Sequence, residues 1–501
     1  MIEAAAPTTH HSHSAGVLFR NLAILVGSQL ITWLSALVWA LFVPRALGPD
    51  GTGIFTLSVA ASGILTVLIG LGTRPLLVRE ISVDRSRAGR LIPTAIILRA
   101  LLAVPMLIVL GVFARVGHFR GDDVLALYLG WAVCVLFLIY EPIQAGLQAL
   151  EKMQYLAYAD ILTKTCVSLI SVVLVLIAPR AIGLLVLTVV VLGVVLILHV
   201  GWMRKHFAVE WNIRREELWS LARGSLPYLG FALFFTFYLW IDALMLGVMT
   251  PDRVLGWYGL PTKLFGTLMF IPVILSTAWL PRLSASHARG DDALWRTARG
   301  PLQFVVALSL PVCVGVVLVA HDLINLLYGP AFDPAVPVMA LLALSVPPMY
   351  VNIMVNQILI ARQQQMLWTK AMVLACVVNP ALNLVLIPYF QARRGNGAIG
   401  AALSLLITEL VLVVIGIAVT RRCFDRDFVS RTVRAALATA GMGLAVLLAT
   451  PHGLAPAILV GLVVYPALAI PLGVVSPAEL AQLVAVVRSR RRGATQQTVN
   501  I

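Results

Sequence analysis

Fourteen apolar runs, most of them about 20 residues long, take up nearly the whole chain, and no other feature restricts its fold as much. They fall at 21–43, 53–73, 90–113, 124–148, 155–177, 181–203, 225–249, 254–280, 302–321, 335–360, 367–389, 397–420, 433–450 and 454–472. A helical run of about 20 residues crosses a hydrocarbon core of ~30 Å, and in that solvent every backbone N–H and C=O has to be bonded internally. Only 12% of the 501 residues are charged, about half the share expected of a soluble protein. The chain therefore reads as an all-α polytopic membrane protein with about fourteen transmembrane helices.

The first 17 residues are polar, carry His10, His11 and His13, and lack the charged-then-apolar layout of a cleavable signal. They are expected to form a disordered cytoplasmic tail. Cys134, Cys166, Cys313, Cys376 and Cys423 mostly sit inside apolar runs at irregular spacing, which suggests neither a disulfide framework nor a zinc site. No cofactor or metal is expected.

An even number of spans puts both termini on one side. The segments on that side, with the span ends that adjoin them, carry 27 of the 37 Lys and Arg, the opposite loops carry 7, and Arg99, Lys164 and Lys263 lie deep within spans. The positive-inside rule then makes the basic side cytoplasmic. Most of the +15 formal charge is thereby a topology signal, with a secondary role in gripping membrane lipids, and it assigns no nucleic-acid partner. All the outside loops are short, the longest 13 residues (322–334), which excludes an extracytoplasmic catalytic domain. The chain also lacks a His/Cys metal constellation, a nucleophile elbow and a phosphate-cradling glycine loop, so the expectation is a protein that is not an enzyme.

The chain contains a long repeat. "GIFTLSVAASGIL" (53–65) resembles "GWYGLPTKLFGTL" (256–268), with Gly53 over Gly256, and 152–177 resembles 362–387, with Cys166 over Cys376. The offsets, 203 and 210 residues, each cover six spans. Six spans preserve orientation, so the halves are expected to be related by a pseudo-two-fold axis along the membrane normal, with a substrate site between them and access alternating as they rock. The expected organisation is a tail at 1–17, an N-lobe at 18–203, a cytoplasmic linker at 204–224 and a C-lobe at 225–420. Two appended helices at 421–472 and a basic cytoplasmic tail at 473–501 follow.

The stretch "RALGPDGTGIFTLSVAASGILTVLIGLGTRPLLVREIS" (45–82) carries Arg-x-Leu-Gly-Pro-x-Gly-x-Gly at Arg45 to Gly53 and Arg-Glu-Ile at Arg79 to Ile81. Together with Arg20 and Asn21, "IDALMLGVMTPDRVLGWYGLPTKL" (241–264) and "LYGPAFDPAVPVMALLALS" (327–345), it resembles the polysaccharide-export (Wzx-like) flippases. These belong to the superfamily that also holds multidrug/toxin extruders and peptidoglycan-precursor flippases. The resemblance implies two six-helix lobes around a central cavity and no enzymatic activity. It implies transport of polyprenyl-pyrophosphate-linked oligosaccharide across the bacterial inner membrane for polysaccharide biosynthesis, coupled to a proton or sodium gradient. A polysaccharide polymerase machinery is the expected partner.

The intramembrane charges supply site candidates. Arg99 lies nine residues beyond Arg90, about 13 Å into its helix, with Lys164 at similar depth and Glu141 slightly shallower. They are expected to meet in one layer with two cations to one carboxylate, a surplus that attracts an anion. Lys164 also lies four residues after Asp160 on one helix face, a local alternative. A Lys at the bilayer centre costs roughly 2.5–3.5 kcal/mol, and either partner answers that cost. Asp242 and Lys263 occupy matched depths on one hairpin, so they pair with each other or Lys263 serves the substrate. Glu409 has no basic neighbour at its depth and is either a proton-coupling acid or a hydrogen-bonded structural one.

Arg forks bind pyrophosphate bidentately. Substrate binding is therefore expected of Arg99, Lys164 and Lys263, with Arg74, Arg79 and Arg20 as inner gate residues or as membrane-edge anchors. Asp242, Glu409 and Glu141 are the ion-coupling candidates. A multidrug extruder on the same fold is the alternative, but its cationic substrates call for unpaired carboxylates, and the basic surplus here points the other way.

Overall fold

The computed structural model describes residues 10–474; side chains are described from Gly27 onward except Leu30, Phe231 and Thr277. The expected tails at 1–17 and 473–501 lie almost wholly outside the described side chains, although the first helix opens at His10. All regular structure among the described residues is helical, and twelve stretches are long and apolar enough to cross a membrane. One of these, Gly27–Gly70, holds two of the expected spans, and Leu454–Ala469 is a shorter apolar helix. Every expected span therefore has its helix. The chain is a multi-pass membrane protein.

The helices are α1 (His10–Gly70), α2 (Thr73–Val83), α3 (Ala88–Val116), α4 (Asp122–Ala149), α5 (Met153–Ile177), α6 (Ala181–His206), α7 (Arg215–Met249) and α8 (Asp252–Leu268). They continue as α9 (Phe270–His287), α10 (Asp291–Tyr328), α11 (Val336–Leu344), α12 (Val346–Ala361), α13 (Gln365–Arg394), α14 (Ala398–Val419), α15 (Arg426–Ala449) and α16 (Leu454–Ala469). The chain divides into two compact units, 1–259 and 260–501, with α8 running from one into the other.

In the first unit the Arg45–Gly53 motif becomes a kink. Gly48 adopts φ 71° inside α1, between Pro44 and Pro49, which each lack the N–H that an unbroken helix needs. Beyond the kink, α1 crosses α8 with almost no separation. A Cβ on Gly53 would stand 1.9 Å from the Asp252 carbonyl oxygen, and one on Gly256 would stand 2.0 Å from that of Pro49. Gly53 and Gly256 are equivalent in the repeat, and Pro49 and Asp252 precede them by four residues each. The contact is thus reciprocal, each glycine lying on the backbone of the other's helix. These contacts, with Gly63 against Trp240 and Gly72 against Tyr228 and Leu229, place α7 and the start of α8 with the N-terminal helices. The first compact unit accordingly extends to Gly259.

A core of Leu77, Ile81, Ile92, Leu98, Ile143, Leu147 and Phe207 fastens α2 to α3 and α4. In the second unit, α15 and α16 pack on α10 through Ala307, Ala435, Ala438 and Ala469. Small residues allow this close approach, since lipid supplies no hydrophobic drive between helices. The expected span 254–280 is broken between α8 and α9, and the freed carbonyl of Leu268 accepts a 2.7 Å hydrogen bond from the Tyr350 hydroxyl.

Candidate functional site

A buried charged cluster of the first unit lies where α2, α3 and α4 meet. Consecutive left-handed residues, Leu71 (φ 52°) and Gly72 (φ 67°), end α1 and redirect the chain into α2. A Cβ on Gly72 would come within 2.7 Å of the Leu229 nitrogen, so glycine is required there on both counts. The turn delivers Thr73 and Arg74 to Glu141 on α4.

Arg99 on α3 is 2% exposed, the largest fully buried side chain in the described structure. Its Nε and Nη2 donate to Thr73 Oγ1 at 3.2 and 2.7 Å, and Nη1 donates to the Leu138 carbonyl at 2.8 Å. Nη2 also lies 2.5 Å from Glu141 Oε2, a charge contact without the alignment of a hydrogen bond. Arg74 approaches the same carboxylate from the open side: Nη1 donates to Glu141 Oε1 at 3.4 Å and Nη2 to Gln148 Oε1 at 3.2 Å. Its side chain is 39% exposed, against 9% for that of Glu141. Two guanidiniums thus share one carboxylate, and the cluster carries a net positive charge. The deep cation is locked by three acceptors, whereas the outer one is held by two long contacts.

This geometry corrects the expected layer of Arg99, Glu141 and Lys164. The second cation is Arg74, because the Leu71–Gly72 break turns it inward. Lys164 stands on an exposed face of α5 and, among the described residues, pairs with neither Asp160 (itself exposed) nor Glu141. Arg99, expected to hold a headgroup directly, is buried with its donors committed. Arg79 is exposed on α2. Arg20 lies in α1 with its side chain outside the described part.

Asp242 is buried on α7 and accepts a 2.9 Å hydrogen bond from the Tyr258 hydroxyl. Lys263 belongs to the second unit and is exposed. In that unit Glu409 is 2% exposed, and Asn352 Nδ2 donates to both its Oε2 at 2.7 Å and its backbone carbonyl at 3.1 Å. Asn352 carries no charge and so does not stand out in the sequence as a partner at the depth of Glu409. Thr73 and Gln148 are inconspicuous for the same reason: neutral donors and acceptors in apolar runs stand out less than charges do. Thr73, next to an Arg in a run that Gly72 interrupts, was the available signal.

Residues 18–287 match a family described as polysaccharide biosynthesis protein, and residues 257–466 match the family of the lipid II flippase MurJ. A curated relative, the probable low-salt glycan biosynthesis flippase Agl15 of Haloferax volcanii, is 22% identical over 382 residues, covering 75% of this chain and 77% of its own. Among solved structures, the lipid II flippase MurJ in an inward closed conformation superposes with a TM-score of 0.73 at 12% identity, over 90% of this chain and 98% of its own. An inward-facing multidrug resistance MATE transporter of the MOP superfamily gives 0.61 at 14% identity, over 80% and 97%. The fold is shared with both.

Proposed function

The chain belongs to the polysaccharide biosynthesis protein family, and from that premise we propose that it is a flippase for polyprenyl-pyrophosphate-linked oligosaccharide in the bacterial inner membrane. Both termini are cytoplasmic in this reading. One observation carries it: a single carboxylate shared by a buried guanidinium and a partly exposed one. An anionic headgroup is attracted by the net charge, and Arg74 is free enough to receive it. Its contacts at 3.4 and 3.2 Å are long, and phosphate oxygens approach a guanidinium at about 2.7–2.9 Å, so exchange favours the substrate.

Arg99 is a positioning residue, holding Glu141 in place while Arg74 moves. Arg79 and Lys164, both exposed, supply further positive charge to the headgroup, and Lys263 and Arg20 complete the proposed set. Asp242 and Glu409 are the proposed coupling acids for a proton or sodium ion. Glu141 is proposed as a positioning carboxylate instead, since two guanidiniums already neutralise it and a cation arriving there meets net positive charge. Access alternates as the two repeats rock, and a polysaccharide polymerase machinery receives the product.

The test is a flipping assay in proteoliposomes holding fluorescent polyprenyl-pyrophosphate oligosaccharide, scored by a membrane-impermeant glycan oxidant. The protein should equilibrate the lipid between leaflets, and Arg74→Gln should slow this at least tenfold. Absence of flipping, with energy-dependent efflux of cationic drugs from a susceptible strain, would establish the extruder reading instead.

A further inference from the structure

A second basic site lies at the other end of α3, away from the Arg99 cluster. There α3 and α4 enclose a groove of about 600 Å³ lined by Leu107, Ile108, Val112, Arg115, His118, Arg120 and Tyr128, among others. Its floor is open because of Gly111, where a Cβ would stand 3.4 Å from the Tyr128 hydroxyl. The rim is built by the end of the helix. Gly117 and Phe119 donate to the Phe113 and Ala114 carbonyls, His118 takes φ 55°, and Phe119 folds back on Phe113 at 5.5 Å. This closing turn sets Arg115, His118 and Arg120 around one mouth. All three are exposed, and none forms an ion pair among the described residues. Neither Asp122 nor Asp123, at the start of α4, lines the groove.

The wall below the mouth is apolar and uncovered, with Ile108 66% and Val112 55% exposed. In the orientation proposed above, this loop is extracytoplasmic. Basic clusters are unusual on that side, because retention of Lys and Arg inside is what sets topology. A cationic mouth over an apolar trough is complementary to an amphiphile with an anionic head, and Tyr128 is an interfacial aromatic suited to the same level.

We propose that this groove binds an anionic glycerophospholipid of the outer leaflet, its phosphate between Arg115, His118 and Arg120 and one acyl chain along Leu107, Ile108 and Val112. The assignment of leaflet rests on the proposed orientation; the binding itself does not depend on transport.

Native mass spectrometry of the full-length protein in detergent, titrated with phosphatidylglycerol or phosphatidylcholine, tests it. One phosphatidylglycerol should be retained more tightly than phosphatidylcholine. Arg115→Gln should weaken it about fivefold and Arg115→Gln/Arg120→Gln about thirtyfold, the strength of basic residues at an anionic membrane surface. Arg115→Lys/Arg120→Lys should keep most of the affinity. Gly111→Leu, which fills the trough and leaves the charges, should also lose the lipid, and excess inorganic phosphate should not displace it. Equal retention by the double Gln variant overturns the proposal, as does retention by Gly111→Leu with an unchanged melting temperature. Displacement by free phosphate overturns the acyl-chain assignment, and preference for a polyprenyl pyrophosphate over phosphatidylglycerol overturns the occupant. None of these results depends on whether flipping is observed, so the two proposals fail separately.

Discussion

Replacing Arg99 with Gln removes a charge that is 2% exposed and leaves three groups behind. Glu141 loses its 2.5 Å partner and, among the described residues, keeps Arg74 at 3.4 Å, while the Leu138 carbonyl and the Thr73 hydroxyl lose their donor. Breaking a buried pair from one side costs about 3–5 kcal/mol, chiefly because the remaining charge is stranded. At roughly 2 °C per kcal/mol for a unit of this size, the melting temperature should fall by about 6–10 °C. Adding Glu141→Gln removes the stranded carboxylate, so the double variant should be more stable than the sum of the two single losses by on the order of 2 kcal/mol. The assay is thermal unfolding of purified protein in detergent, read beside membrane abundance and flipping rate. Additive losses would refute the pairing. An unchanged melting temperature with abolished flipping would refute the positioning role and return Arg99 to direct contact with the headgroup.

Arg74→Lys should change the melting temperature by less than about 2 °C, since a pair this exposed contributes at most ~1 kcal/mol, yet slow flipping because an ammonium lacks the bidentate fork. Lys164→Gln should leave stability unchanged, its side chain being exposed and outside any ion pair among the described residues, and should lower surface glycan at normal membrane abundance; normal glycan export would remove Lys164 from the substrate site. Gly53→Ala and Gly256→Ala should each destabilise by about 1–3 kcal/mol, because the added methyl meets a backbone oxygen that cannot rotate away. Similar losses measured by thermal unfolding would support the reciprocal crossing, and tolerance at only one of the two would contradict it. Glu409→Gln should retain stability within about 1 kcal/mol, since an amide oxygen still accepts from Asn352, whereas Asn352→Leu should cost about 1–3 kcal/mol in thermal unfolding, because it removes a 2.7 Å buried hydrogen bond to a carboxyl oxygen.

Much of this protein follows from its sequence because a bilayer leaves few choices. Runs of about 20 apolar residues have to be helices that cross, so their helical character and their order along the chain were legible without coordinates, whereas their limits were not. The gap expected between the first two spans, 44–52, is in the structure a kink at Gly48 within α1, and the residues aligned in the repeat, Gly53 and Gly256, meet each other's helices. Depth along a helix was also readable, at 1.5 Å per residue, and it rightly put Arg99 near Glu141.

Rotation about the helix axis and the direction taken after a break were not readable. In a helix that is apolar nearly all round, no amphipathic pattern says which face meets which neighbour. Lys164 and Arg99 share a depth, yet one is exposed and the other buried. Arg74 seemed to stop at the membrane edge until two left-handed residues swung it onto Glu141. The pairing of Glu409 with Asn352, 57 residues apart in the chain, came from packing alone. Depth is a one-dimensional quantity that the chain carries within each helix; azimuth is set only when other helices close around it.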